Sequence, residues 1–171
     1  YEVGSQYYGM GDIPFIRTSD ITNWEIKIDP IKCIPEEIYN KFKNRQDLQE
    51  NDILFNTDGT FLIGRSAILT SDDTKIVIQS HIRRIRCLKK DILHPYLLLH
   101  TLNLEIVQRQ IKEKTFVQST ISTLGNRIEE IILPIPTDEK IKEKIICEVS
   151  QIIEMKIQVK RKIDKLKSGI Y

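Results

Sequence analysis

Short apolar runs separated by turn-forming residues fill the first 136 positions of the chain. Each run is brief, rich in β-branched or aromatic side chains, and bounded by residues such as Gly, Pro, Asn, Asp or Ser. This pattern is typical of β-strands connected by turns and loops. The predicted strands are 13–16, 24–28, 53–55, 61–69, 75–78 and 82–87.

Two helices are predicted between these strands. The first is short and starts near Pro35, where Glu36 and Glu37 suit the positive end of a helix. The second starts at Pro95 and continues to Ile111, with apolar residues at helical spacing. Together these elements predict an α+β fold with a small mixed or antiparallel sheet and long loops.

The pattern changes after Pro136, where a single long helix is predicted. Thr137 or Asp138 can cap its start, and no Pro or Gly follows until Gly169. At 1.5 Å per residue, such a helix is a rod of roughly 45 Å. The change in pattern predicts a first domain at 1–136 and a spacer or dimerisation helix at 137–171.

Apolar side chains repeat along this helix with the four-three spacing of a coiled coil, interrupted by Lys156. A stripe of this kind predicts a partner helix. The alternative is that the helix folds back on the sheet as an ordinary amphipathic helix. The residues predicted to pair are Ile145, Val149, Ile152, Val159, Ile163 and Leu166.

Charge and cysteine content narrow the class of protein. With 26 Lys and Arg against 24 Asp and Glu, the net charge is +2, which excludes a uniformly basic, histone-like protein but allows a locally basic face. The three cysteines are far apart and lack metal-ligand spacing, so they predict thiols in a reducing compartment. No signal peptide or membrane-spanning run is recognisable. Because the chain opens on Tyr1, we expect it to be a piece of a longer polypeptide.

Familiar catalytic and nucleotide-binding motifs are absent from the sequence. We find no GxxxxGK[ST], GxGxxG, GxSxG or HExxH pattern. An Asn/Asp-Pro-Pro-Tyr/Phe tetrapeptide, which resembles an adenine-amino methyltransferase site, is also missing. If methylation is involved, another chain or segment performs it.

One catalytic alternative stays open at this point. Asp20 with Glu25 and Lys27 fits the Asp…Glu-x-Lys arrangement of metal-dependent nucleases, in which carboxylates hold Mg²⁺ and the lysine positions or activates water. Glu25 and Lys27 would share one face of a strand, whereas Asp20 lies an odd number of residues from Glu25 and would point the other way. The separation is also too short for a comfortable hairpin in which both carboxylates converge.

Cations, amides and hydroxyls cluster in segments that suit nucleic-acid binding. A basic β segment at 80–86 follows Gln79, and Arg65 follows Gly64 in a loop-rich hairpin. A polar, hydroxyl-rich loop at 118–127 precedes another predicted strand. Such side chains pair with phosphate oxygens and base edges. The candidate DNA-contacting residues are Arg17, Arg65, Gln79, His81, Arg83, Arg84, Thr123, Asn126 and Arg127.

Several short motifs follow one another in order along the chain. They are IPFIRTSDI at 13–21, DILF at 52–55, DGT at 58–60, IG at 63–64, QSHI at 79–82, STLGNRI at 122–128 and LPIP at 133–136. Together with the long helix after them, these motifs make nearly the whole chain resemble one half of a type I restriction-modification specificity subunit. The same module closes fused DNA methyltransferase-specificity polypeptides.

The resemblance implies sequence-specific recognition of double-stranded DNA, with no catalysis and no cofactor in this chain. It implies a target-recognition domain followed by a spacer helix, which pairs antiparallel with that of a second recognition domain or an identical copy. Two identical copies would read a palindromic, split target. Gly59, Gly64 and Gly125 would be scaffold positions in tight turns.

The resemblance also implies partners that perform the chemistry. A methyltransferase, as a subunit or a fused domain, would flip the target adenine and methylate its N6 with S-adenosylmethionine. ATP and Mg²⁺ would serve other partner subunits, including a nuclease. The expected location is the cytoplasm of a bacterium or archaeon, at the nucleoid.

Overall fold

The computed structural model describes residues 2–59, 61–118 and 121–169. Thr60 of the DGT motif, and Ser119 and Thr120 of the polar loop at 118–127, lie outside these residues. No helix in the described part of the chain is both long enough and apolar enough to cross a membrane. The helices are α1 (Glu36–Gln46), α2 (Pro95–Leu102), α3 (Glu105–Lys114) and α4 (Glu139–Lys167). The strands are β1 (Phe15–Ile16), β2 (Ile21–Thr22), β3 (Glu25–Ile26), β4 (Ile53–Asn56), β5 (Ser66–Ile68), β6 (Val77–Ile78), β7 (Ile82–Ile85), β8 (Phe116–Gln118) and β9 (Ile121–Thr123).

A three-stranded antiparallel sheet in the order β5-β4-β7 forms the centre of the fold. Its middle strand buries Ile53, Leu54 and Phe55 completely, because other elements cover both faces of the sheet. β1 pairs in parallel with β6, while β2 with β3 and β8 with β9 form antiparallel hairpins. These small sheets and the helices confirm the predicted α+β class.

Three groups of buried side chains hold the elements together. The largest lies between the central sheet, α2, α3 and α4 and includes Phe55. The second covers the opposite face of β4 around Leu54, as the alternation of side chains along a strand requires. The third packs α1 against β1 and β6 through Ile38 and Val77.

Two predicted elements are wrong in their extent. The helix predicted from Pro95 to Ile111 divides into α2 and α3 at Asn103. The Asn103 side chain donates to the Leu99 carbonyl at 2.7 Å and to Ser66 Oγ at 2.8 Å, which satisfies groups at the end of α2. The strand predicted at 61–69 begins only at Ser66, because the preceding residues form a turn.

A tight hairpin joins β2 to β3, a connection that the sequence pattern did not predict. Asn23 and Trp24 both have positive φ, 47° and 68°, as the central residues of a type I′ turn require. This conformation is rare for a tryptophan. The contacts around Trp24 hold it, since the Ile68 amide donates to its carbonyl at 3.1 Å and its ring packs on the largest core group.

The polar stretch at 118–127 contains a hairpin and a turn. β8 pairs with β9, with Phe116 opposite Thr123. A 3₁₀ helix, Gly125–Glu130, then follows in place of the predicted strand. Gly125 allows this change of direction because it adopts φ 52°, where a side chain would be strained.

The long helix α4 shares a core with the rest of the chain. Asp138 caps its start by accepting from the Lys140 amide at 2.8 Å, and the helix runs for 29 residues, about 43 Å. Its first half packs on α2, where Val149 and Ile153 join the largest core group. The predicted boundary at residue 136 therefore falls between two segments that share one core.

The predicted pairing stripe of α4 divides between two surfaces. Val149 is 3% exposed within the core, and Ile145 packs partly against it. This part of the helix therefore follows the folded-back alternative. The remaining stripe residues face solvent with exposed fractions of 37% for Ile152, 57% for Val159, 45% for Ile163 and 58% for Leu166.

Ion pairs attach the second half of α4 to the turn between β5 and β6. Lys160 lies 2.5 Å from Asp73, and Arg161 donates to both carboxylate oxygens of Asp72 at 2.7 and 2.9 Å. We call Asp72, Asp73, Lys160 and Arg161 the helix latch. Because the latch lies far along the helix from Val149, it fixes the direction in which α4 leaves the core.

The latch is expected to weaken in acid. Arg161 holds the pKa of the Asp72 carboxyl below its ordinary value, chiefly through its hydrogen bonds. The pKa of Asp72 is lower in the folded than in the unfolded chain. The ion pair therefore stabilises the fold fully above the unfolded pKa of about 4, and this stabilisation is lost as pH falls through the folded pKa. NMR titration should show Asp72 ionising at lower pH than in Arg161→Ala. An Asp72 that titrates at the same pH in both proteins would contradict the prediction.

Candidate nucleic-acid interface

Segments distant in sequence meet at one end of the central sheet. The amide of Thr57, just after β4, donates to the His81 carbonyl at 3.0 Å, and the Leu124 amide donates to the Thr57 carbonyl at 2.8 Å. The Gly59 amide donates to the Ser122 carbonyl at 3.0 Å. We call the surface formed by 57–59, 61–65, 79–83, 116–118 and 121–127 the loop face.

The buried side chain of Asn56 organises the turn at the centre of the loop face. Its Nδ2 donates to the carbonyls of Leu62 at 3.1 Å and Thr18 at 2.8 Å. Gly64 returns the chain to β5 at φ 86°, and its amide donates to the Asn56 carbonyl at 3.0 Å. A Cβ at Gly64 would lie 2.9 Å from Gln108 Oε1. This contact and the positive φ support the scaffold role expected for Gly64.

Four candidate DNA-contacting residues of the loop face have side chains that reach its surface near one another. Arg83 and Asn126 are exposed and contact each other, with Arg83 Nη2 3.4 Å from Asn126 Oδ1. Arg127 is also exposed, and its guanidinium lies 4.8 Å from the centre of the Phe116 ring. The half-buried ring of His81 lies between Asp58 and Glu2, at 3.4 and 3.5 Å.

Thr123 belongs to the loop face but points inward. It is 6% exposed, and its Oγ1 accepts from the Gly125 amide at 3.0 Å. A threonine hydroxyl that accepts from a nearby amide stabilises a turn. The side chain therefore shapes the loop that presents Asn126 and Arg127.

Arg17 and Gln79 stabilise the neighbouring turn. Arg17 donates through Nε and Nη2 to Asp20 at 2.9 Å and through Nη2 to Asp29 at 2.9 Å. These hydrogen bonds and charges raise the pKa of Arg17 above its ordinary value, with the Asp20 bond contributing most. Gln79 Oε1 accepts from the Thr18 amide at 3.4 Å. Arg17 and Gln79, both candidate DNA-contacting residues, thus brace this turn.

The basic segment of β7 divides between two sides of the strand. Arg83 points to the loop face, whereas Arg84 points to the end of α1 and donates to the Gln46 and Asp47 carbonyls at 2.9 and 2.6 Å. Arg86 lies on the same side as Arg84 and pairs with Asp52 and Asp47. Those hydrogen bonds raise the pKa of Arg86 well above its ordinary value, with Asp52 contributing most. Arg84 and Arg86 thus connect β7 to α1 and the start of β4.

Arg65 lies at the edge of the loop face. Its side chain is exposed beside a shallow hollow of about 280 Å³ formed with Thr22, Asn23 and Trp24. Its guanidinium makes no ion pair with any of the described side chains. Arg65 is therefore accessible to an external anion.

The residues of the nuclease alternative do not form a metal site. The carboxylate of Asp20 is occupied by Arg17, Ser19 Oγ and the Arg17 amide. Glu25 lies on the β2–β3 hairpin, 3.4 Å from Lys156 of α4. Among residues 2–59, 61–118 and 121–169, no group of three or more His, Cys, Asp or Glu side chains could hold a metal ion. The geometry gives this alternative no support.

Sequence reasoning missed Phe61, which the structure places on the loop face. The pattern assigned this residue to a strand, but the structure places it in the turn before β5, 89% exposed. The available signal was its position between Gly59 and Gly64, since two glycines so close together are typical of turns.

Comparison with known families gives a match over most of the chain. The family model described as type I restriction modification DNA specificity domain matches residues 3–167. The matched segment includes the loop face, the central sheet and all of α4. No curated protein matches the chain significantly.

Proposed function

Because the chain belongs to the family of type I restriction-modification DNA specificity domains, we propose that its loop face reads part of a DNA target and directs a methyltransferase to it. The family is a non-catalytic DNA-recognition module. The observation that carries the proposal is the convergence of Arg83, Asn126, Arg127 and His81 from separate segments on one exposed surface.

The chemistry of the loop face suits a duplex. Guanidinium groups donate to phosphate oxygens or to guanine, and an amide such as that of Asn126 can pair with an adenine edge. Arg83 contacts Asn126, and Arg127 follows it in the chain, so phosphate contacts by the two arginines would position the amide near bases. We propose that Arg65 adds a phosphate contact at the rim.

The reaction itself is proposed to occur in a partner. A methyltransferase subunit, or a domain fused to this chain, would bind S-adenosylmethionine and methylate adenine N6. Subunits that use ATP and Mg²⁺ would perform translocation or cleavage. This chain would supply the sequence preference, and its proposed location is the cytoplasm, at the nucleoid.

Helix α4 is proposed to pair with the helix of a second recognition unit. A groove of about 730 Å³ runs between the exposed stripe of α4 and the β2–β3 hairpin, lined by Ile152, Met155, Val159, Ile163 and Ile28. An apolar groove along a helix can accept the apolar face of another helix. With two identical copies related by two-fold symmetry, the two loop faces would read a palindromic target with a spacer between its halves.

The DNA-binding proposal is tested by the salt dependence of duplex binding. Arg83→Ala is expected to weaken binding and to reduce the slope of log K against log salt by about 1, the change for one lost phosphate contact. The measurement is fluorescence anisotropy with a labelled duplex at several salt concentrations.

Arg161→Ala provides the matched control for this test. It removes the same charged group at the opposite end of the central sheet, on the helix latch, so the slope should not change. Equal changes in the two variants would show that only total charge matters. Absence of duplex binding by the wild-type chain at low salt, with a cognate methyltransferase present, would overturn the proposal.

A further inference from the structure

Phe61 has a ring that the protein leaves in water. It is 89% exposed, a larger fraction than any other large apolar residue in the described chain, whereas Phe15 and Phe55 are 3% and 0% exposed. Single apolar residues on a surface are common, so exposure alone assigns no role. The position of the ring and its neighbours gives the stronger argument.

The backbone beneath Phe61 is held on two sides. On one side, Asn56 Nδ2 donates to the carbonyl of Leu62, the residue after Phe61, and Gln108 of α3 donates to the Gly64 carbonyl at 3.1 Å. On the other side, the Gly59 amide donates to the Ser122 carbonyl of β9. A ring that must press against another molecule needs such an anchored base, because a mobile turn would yield.

The elements around this turn combine apolar and cationic groups. The β8–β9 hairpin bonded to Gly59 exposes Val117 by 72% and Ile121 by 42%. Arg83 and Arg127 lie on the two segments whose backbones bond to Thr57, and Arg83 contacts Asn126, the neighbour of Arg127. An apolar protein partner would not require cations beside the ring, whereas a duplex offers phosphates next to an apolar base stack. The charge pattern therefore favours DNA as the occupant.

We propose that Phe61 is a wedge that inserts its ring between two stacked base pairs of the target and kinks the duplex. This inference rests on the proposed function. Apolar side chains that enter a base step partly unstack it and bend DNA by roughly 20–90°. Because pyrimidine–purine steps such as TA and CA unstack most easily, the wedge would favour such a step at a position that no polar side chain contacts.

The test uses the full chain and a random-sequence duplex library. The sequence most enriched by the wild-type protein is labelled at both ends for energy transfer and carries 2-aminopurine at its pyrimidine–purine step. The wild-type protein should bend this duplex and raise the 2-aminopurine fluorescence. Phe61→Ala should lose both signals and bind about 5- to 100-fold more weakly, as expected for a lost aromatic contact with a base. Phe61→Leu should retain part of both signals, since leucine also acts as a wedge.

Leu88→Ala is the matched control. Leu88 is 88% exposed but follows the end of β7 opposite to His81. Its loss should leave bending and fluorescence unchanged. Melting temperatures equal to that of wild type would establish that Phe61→Ala and Leu88→Ala fold, as expected for exposed side chains.

Two results would overturn the wedge while leaving the proposed function intact. One is an enriched sequence that wild type and Phe61→Ala bind and bend equally. The other is loss of methyltransferase binding by Phe61→Ala in the absence of DNA, which would place a protein partner on the ring. If the wild-type chain enriches no sequence, the proposed function fails and the wedge fails with it.

Discussion

Replacing Asp52 by alanine is expected to lower the free energy of unfolding by about 3 kcal/mol, at the lower end of the range for breaking a buried ion pair. The Asp52 carboxylate is 1% exposed. It accepts from Arg86 Nε and Nη2 at 2.6 and 2.8 Å and from the Gln49 amide at 2.8 Å. Without this carboxylate, the half-buried guanidinium of Arg86 keeps only part of its countercharge. The Gln49 amide also loses its acceptor. The measurement is equilibrium unfolding by denaturant.

A surface carboxylate provides the control for Asp52. Glu37 pairs with Lys41 at 2.9 Å in an exposed pair on α1, and exposed pairs of this kind contribute roughly 0–1 kcal/mol. Glu37→Ala should therefore change stability far less than Asp52→Ala does. Equal losses for the two variants would show that the Asp52 pair is no stronger than a surface pair.

Replacing two apolar residues of the exposed α4 stripe by aspartate is expected to abolish the proposed association between copies of the chain. In Val159→Asp/Ile163→Asp, carboxylates would have to enter the apolar contact between helices without partners, which costs several kcal/mol each. The variant should fold, because both side chains face solvent in the single chain. Its affinity for a split target should fall by about 10²- to 10⁴-fold, since linkage of two binding units is lost. Sedimentation equilibrium and duplex binding measure the two effects.

The matched control places the same charges on the outer face of α4. Gln151 and Gln158 are exposed and do not line the groove beside the β2–β3 hairpin. Gln151→Asp/Gln158→Asp should therefore associate as the wild type does. A wild-type chain that stays monomeric at all concentrations would contradict pairing between copies, and a stripe variant that still dimerises would place the contact elsewhere.

The short strands and the long helix could be predicted because they depend on local patterns. The run Ile53 to Phe55 is apolar at every position, as expected for a strand buried on both faces. Likewise, Asp138 and the absence of Pro and Gly mark the start and extent of α4. In these elements local preference and tertiary packing agree.

Features that depend on distant contacts could not be predicted. Asn103 ends α2 with help from Ser66, which lies 37 positions earlier in the chain. Trp24 adopts a positive φ because the chain near Ile68 holds its carbonyl, and no propensity favours that conformation in tryptophan. In both places tertiary contacts outweigh local preference.

The candidate site could be predicted only in part, because it too depends on contacts between distant segments. Side-chain chemistry identified Arg83, Asn126 and Arg127, but it could not show that they meet. Strand alternation could have separated Arg83 from Arg84 and Arg86. Only the fold shows that the other side of β7 faces the aspartates near α1. The folded-back part of α4 was likewise visible only once Val149 lay in the core.

The division of β7 into two sides has an evolutionary consequence. Arg84 and Arg86 are committed to internal partners, so their replacement would destabilise the fold. Among the side chains that the structure describes, Arg83, one position away, hydrogen-bonds only to Asn126, another loop-face residue. Substitutions at Arg83 and Asn126 can therefore accumulate at little cost in stability, whereas substitutions at Arg84 and Arg86 are removed by selection. If Arg83 and Asn126 read the target as proposed, a single strand would let the domain acquire a new target sequence while its architecture stays constant.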